Sequence, residues 1–87
     1  MIGKFATSKA GHDKSQLYVI VAVEGDFAFL CDGRLKTLDK PKKKKWKHIQ
    51  LINTTVSPDL RNRLATGQVV RDEEIKYAIK IYKKEND

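Results

Sequence analysis

Cysteine, histidine, proline and long apolar runs are all scarce in this 87-residue chain, and each scarcity removes a class of protein. A single cysteine, Cys31, excludes an internal disulfide and any cysteine cage for zinc, and its place in an apolar run makes it a small core residue. Two histidines, His12 and His48, fall on different elements, and no His or Cys spacing suits a metal. No glycine-rich phosphate loop of the Walker or dinucleotide type is present. Without convergent acid, base, nucleophile or metal groups, the chain reads as a non-enzyme that needs no cofactor. The longest uncharged apolar stretch, Leu17 to Val23, is far shorter than the roughly 20 residues of a membrane helix. No signal-peptide pattern opens the sequence, so the expected location is cytoplasmic, with no membrane association.

What the chain does have is positive charge in one place. Arg34, Lys36, Lys40, Lys42, Lys43, Lys44, Lys45 and Lys47 face only Asp39, so residues 34 to 47 carry the whole net charge of +7. The remaining residues balance, ten basic against ten acidic. Solubility alone requires no such clustering when the rest of the molecule is neutral. A local excess of lysine with Trp46 at its end suits a polyanion, held by phosphate neutralisation and one aromatic face. Pro41 stiffens the approach to the run, and strand-like sequence flanks it on both sides, so the lysines read as a loop tip on a scaffold. For Trp46 a core or lid position is the alternative to base stacking.

The scaffold follows from periodicity. Gly3 to Ser8 reads as a short strand, with Phe5 and Thr7 on one face and Lys4 and Ala6 on the other. Lys9 to Gln16 is a polar loop. Leu17 to Glu24 is the central strand, paired as a hairpin through Gly25-Asp26 with Phe27 to Cys31. Leu35 to Leu38 is a candidate fourth strand, and Trp46 to Ile52 a fifth, with Lys47, Ile49 and Leu51 on one face. Five short strands before Asn53 imply a small barrel, whose closure would remove exposed edges.

Beyond Asn53 the pattern turns helical. Ser57-Pro58 gives an N-cap and a proline at the first helical position, and Gly67 gives a stop, which predicts a helix from about Pro58 to Thr66. Asp72 is a second N-cap candidate, with Glu73 and Glu74 in the first turn and Lys80, Lys83 and Lys84 near the end, the order a helix dipole favours. Ile75, Ile79 and Tyr82, with Ala78 beside them, make one apolar face that either packs on the barrel or receives a protein partner.

The run Gly3-Lys4-Phe5-Ala6-Thr7-Ser8-Lys9-Ala10-Gly11-His12-Asp13-Lys14, followed by Leu17 to Val23, resembles the KOW motif: a strand, a loop pivoting on glycine, and an apolar strand. Together with Phe27 to Gly33, the lysine-rich turn and Lys47 to Leu51, it resembles the archaeal and eukaryotic large-subunit ribosomal protein family designated fourteen, type e, and its small stand-alone bacterial relatives. The likeness spans roughly residues 2 to 54. It departs from the pattern at Ser15, where related sequences often carry a second glycine. The resemblance implies a mainly β chain of α+β class: a five-stranded SH3-like (KOW) barrel over residues 1–54, then a helical extension over 55–87 packed on it. It also implies contact with ribosomal RNA through Lys9, Gly11, His12 and Lys14, beside the basic segment read from charge alone. The expected function is non-catalytic RNA binding in association with the ribosome. The competing expectation is a protein-interaction module that works through Ile75, Ile79 and Tyr82.

Overall fold

The computed structural model describes residues 1–9 and 16–86. Over the described residues the chain is an α+β fold in which five antiparallel strands, β1 (Lys4–Ser8), β2 (Leu17–Glu24), β3 (Phe27–Cys31), β4 (Lys42–Lys45) and β5 (Ile49–Thr55), precede two helices, α1 (Pro58–Ala65) and α2 (Asp72–Glu85). The sheet order is β4-β3-β2-β1-β5. Its two edges, β4 and β5, are consecutive in the chain and are joined only by a short 3-10 turn, Trp46–His48. So short a connection forces the sheet to curl, although among the described residues no ladder joins the two edges.

Both faces of the curled sheet are buried, which is why the central strands are apolar without strict alternation. One face gathers Phe5, Leu17, Val19 and Cys31, and is covered by Val56, by Leu60 of α1 and by Ile75 and Ile79 of α2. Phe5 meets Tyr82 with ring centroids 4.7 Å apart. The other face encloses Ala6, Tyr18, Ile20, Ala28, Leu30 and Ile49, closed at its rim by Trp46 and Leu51. Phe5 and Ala6 thus point into different clusters, as period-two alternation requires. The apolar stripe on α2 is taken up by this packing: Ile75 is fully buried and Ile79 is 8% exposed, so neither offers itself to a partner.

Local chemistry explains most element boundaries. The β2–β3 hairpin turns on Gly25-Asp26, between the paired residues Glu24 and Phe27, and Gly25 has φ +56°. A positive φ at the first turn position is what a glycine-first two-residue hairpin turn demands. Ser57 caps α1 by accepting from the Leu60 N–H at 3.3 Å, with Pro58 following. For α2 the cap is Arg71, one residue earlier than the sequence suggests, because the Glu74 carboxylate accepts from the Arg71 N–H at 3.0 Å. Glu74 is also held by the Arg63 guanidinium, which reaches Asp59 as well and ties α1 to α2. These bonds bring the Glu74 carboxyl down to about 2, chiefly through Arg63, and raise Arg63 in turn.

Three expectations about the basic region are corrected, among them the loop tip expected for the lysine run. Leu35 to Leu38 is not a strand, because carboxylates take its backbone donors. Asp32 Oδ1 accepts from the N–H groups of Arg34 and Lys36, both at 2.9 Å, and Asp72 Oδ1 accepts from Leu38 N–H at 2.8 Å. The fourth strand is instead the lysine run itself, paired with β3 from Phe27↔Lys45 to Leu30↔Lys42. The fifth strand also starts later than expected, at Ile49, since Trp46–His48 forms the 3-10 turn.

Candidate nucleic-acid interface

Four consecutive lysines in a strand cannot point the same way. Along β3, Phe27 and Phe29 share a face with Cys31, the face on which the helices pack, while Ala28 and Leu30 point to the other. Cross-strand pairing places Lys45 beside Phe27 and Lys43 beside Phe29 on the helix side, and Lys44 and Lys42 beside Ala28 and Leu30 on the opposite side. The contacts follow this division. Lys43 Nζ stands 4.4 Å from the centroid of the Phe27 ring and 5.9 Å from that of Phe29, and Lys45 Nζ lies 5.9 Å from Phe27. Lys42 Nζ is 5.7 Å from the Tyr18 ring. Lys43 and Lys45 are exposed, whereas Lys42 and Lys44 are half-buried.

Lys42, Lys43 and Lys45 thus hold their ammonium groups near aromatic rings along an edge strand, where the ring faces attract them. An edge so charged also rejects pairing with another strand. Among the described residues Glu24 approaches the row, at 3.9 Å from Lys43 Nζ, between exposed groups where such a pair contributes little.

Trp46 stands at the end of the row with its indole half-buried against the inner cluster. It grips the hairpin turn, its backbone N–H donating to Asp26 O at 3.0 Å and its Nε1–H to Gly25 O at 3.3 Å. Trp46 is thus a lid, and its remaining surface lines a shallow hollow with Asp26, Lys45 and Lys47. Lys40 and Lys47 are exposed and Lys36 is half-buried. Lys9 is exposed too, and its N–H donates to His48 O at 2.8 Å, which places it beside the 3-10 turn. Gly11, His12 and Lys14 lie outside the described residues.

Arg34 belongs elsewhere. It lines an open cleft of about 310 Å3 with Gln16, Asp32, Lys76, Ile79, Lys80 and Lys83, between the turn after β3 and the flank of α2. The helical lysines of this cleft, Lys76, Lys80 and Lys83, recur at i, i+4 and i+7, a spacing visible in the sequence, yet only Lys80 and Lys83 stand out there, as complements to the helix dipole. Their proximity to Arg34 emerges from the fold.

The turn that carries Arg34 is tightly built. Gly33 has φ +79°, and a Cβ there would lie 2.5 Å from the Asp72 carbonyl oxygen and 2.8 Å from Lys76 Cγ, so only glycine lets the turn approach α2 this closely. Asp32 is 4% exposed, and its second oxygen accepts from Gln16 Nε2 at 2.9 Å. Behind it, the Cys31 thiol is pushed up to about 11, first by burial and further by the nearby Asp72 and Asp32 charges, with the Gly33 backbone bond opposing. Cys31 is therefore a packing residue, not a nucleophile.

Among the described residues no helix is long and apolar enough to cross a membrane. No protein-family model matches the chain, and no curated protein matches it significantly.

Proposed function

We propose that this protein is a non-catalytic RNA-binding module that associates with the ribosome in the cytoplasm, and that its curled sheet is an SH3-like, KOW-type barrel left open between β4 and β5. The observation that carries the reading is the concentration of the net charge in residues 34 to 47, with four of those lysines held in register on a sheet edge. In support, the strand β4 holds its lysine backbone in fixed register with β3, so less loop entropy is lost on binding than a free lysine tail would lose. Lysines act as point charges and carry little base information, so recognition is of RNA shape and backbone. Engagement of about five phosphates gives a log-log salt slope of roughly −3.5 to −4.5, or about a 100- to 500-fold loss of affinity between about 50 and about 200 mM salt.

The test is sedimentation of the tagged protein from lysate through a sucrose gradient at low and high salt, with and without alanine at Lys42 to Lys45. Salt-sensitive, lysine-dependent comigration with large subunits is expected, and a protein that stays at the top in every condition refutes ribosome association. The competing protein-interaction reading is weakened because Ile75 and Ile79 lie in the core. Capture of a partner that survives nuclease and the lysine substitutions would favour it.

A further inference from the structure

We infer that the cleft between the Asp32–Arg34 turn and α2 is a second RNA-backbone site, in which Arg34, Lys80 and Lys83 hold phosphates while Lys76 contributes charge at its base. This rests on the reading of the chain as an RNA binder and extends it to the C-terminal helix, which the charge run in the sequence leaves out.

Three observations carry it. First, the cations of the cleft are not neutralised by carboxylates of the described residues. Arg63 is held between two carboxylates, whereas none of Arg34, Lys76, Lys80 and Lys83 forms an ion pair among the described residues. The one carboxylate in the cleft, Asp32, is buried and already accepts from two backbone N–H groups and Gln16, so it competes poorly for the lysines. Second, the walls are preorganised. Close approach of Gly33 to Asp72 and Lys76 fixes the turn against the helix, and the Asp32 carboxylate fixes the Arg34 backbone, so binding orders only side-chain ends. Third, the cleft adjoins the first site. Lys42 pairs with Leu30, two residues before Asp32, and Lys43 and Lys45 are exposed on the side of the sheet where Cys31 meets α2. A concave basic surface beside a basic ridge fits two neighbouring phosphate tracks of a folded RNA. A lipid surface fits less well, since the one large apolar side chain exposed beside Arg34 is Leu35, too small an anchor for a bilayer.

The experiment measures anisotropy of a fluorescein-labelled RNA hairpin over a salt series, for the whole protein, for the triple variant R34Q/K80Q/K83Q and for the variant K4Q/R61Q. The second variant removes charge from a separate hollow that Lys4 and Arg61 line, and controls for long-range electrostatics. Losing three phosphate contacts flattens the log-log slope by about 2 to 2.7 in the cleft variant, against little change in the control. Lysine acylation of the unaltered protein, read by mass spectrometry, supplies a measurement independent of any variant: Lys80 and Lys83 become protected by the hairpin and Lys4 does not. If the cleft triple matches the control and Lys80 and Lys83 stay reactive while Lys43 and Lys45 are protected, the second site is refuted and the β4 reading stands. If no lysine is protected and neither variant alters the slope, RNA binding itself fails. Tight, cleft-dependent binding to phosphatidylserine vesicles without binding to the hairpin also overturns the inference.

Discussion

Replacing Lys43 and Lys45 with glutamine should weaken RNA binding far more than the same change at Lys42 and Lys44, although the four residues are adjacent and identical. The difference follows from β4 being a strand: Lys43 and Lys45 are exposed on the side shared with α2, whereas Lys42 and Lys44 are half-buried on the other. If each exposed lysine neutralises one phosphate, K43Q/K45Q flattens the log-log salt slope by about 1.4 to 1.8, so affinity falls about 7- to 12-fold less steeply between about 50 and about 200 mM salt. K42Q/K44Q should produce less than half that change. The substitution has a structural side effect, because Lys43 lies over the Phe27 ring at 4.4 Å, a contact of about 0.5–1 kcal/mol at an exposed site. That predicts a melting shift of a few degrees for a domain of this size, to be measured by circular dichroism before the anisotropy titration. Equal effects from the two pairs, or a larger effect from Lys42 and Lys44, would refute the claim that strand alternation selects the RNA-facing side.

Further expectations concern the scaffold. G33A meets the Asp72 carbonyl and must hold a left-handed backbone, so it should lower the urea midpoint, where a flexible turn would leave it unchanged. I75A empties a fully buried position between α2 and the sheet and should cost about 2–5 kcal/mol in the same assay. Glu74 is lowered from its ordinary 4.5 to about 2, so its stabilising effect is complete above its unfolded value and fades as pH falls through the folded one. E74Q should be less stable than the parent at neutral pH, and the gap should close toward about pH 2 in chemical denaturation. Cys31, buried with its thiol pushed up to about 11, should react with a disulfide reagent at neutral pH only after denaturation, and prompt native-state reaction would contradict the packing.

The β2–β3 hairpin, the buried Cys31 and the inward face of α2 are legible in the sequence because local signals and tertiary packing agree there. Gly25-Asp26 supplies the turn, and Ile75, Ile79 and Tyr82 recur at helical spacing. The fourth strand is not legible, since lysine is disfavoured in strands on local grounds. Lys42–Lys45 is extended because Phe27 and Phe29 offer their rings to the Lys43 ammonium group and because β3 would otherwise lack a partner on that side. Leu35 to Leu38, better on propensity, loses its donors to Asp32 and to Asp72, the latter 34 residues away. The basic cleft stays hidden for the same reason. Its lysines are visible, but only the fold brings Arg34 to them.

The shared core constrains how the chain folds as it is synthesised. Strand β1 has β5 as its outer neighbour, from Ser8↔Ile49 to Lys4↔Thr55, and the cluster around Phe5, Val19 and Cys31 gains its cover from later residues, among them Val56, Leu60, Ile75 and Ile79. A nascent chain can form the β2–β3 hairpin early, but the face of the sheet that holds Phe5 stays wet until Ile79 has been made. The Asp72 carboxylate that accepts from Leu38 arrives equally late, so the segment leading into the lysine strand is stitched down near the end of the process. A ribosome that pauses between Thr55 and Asp72 would therefore hold a chain with its basic strand already synthesised and its apolar sheet uncovered, a state exposed to misassembly until translation resumes.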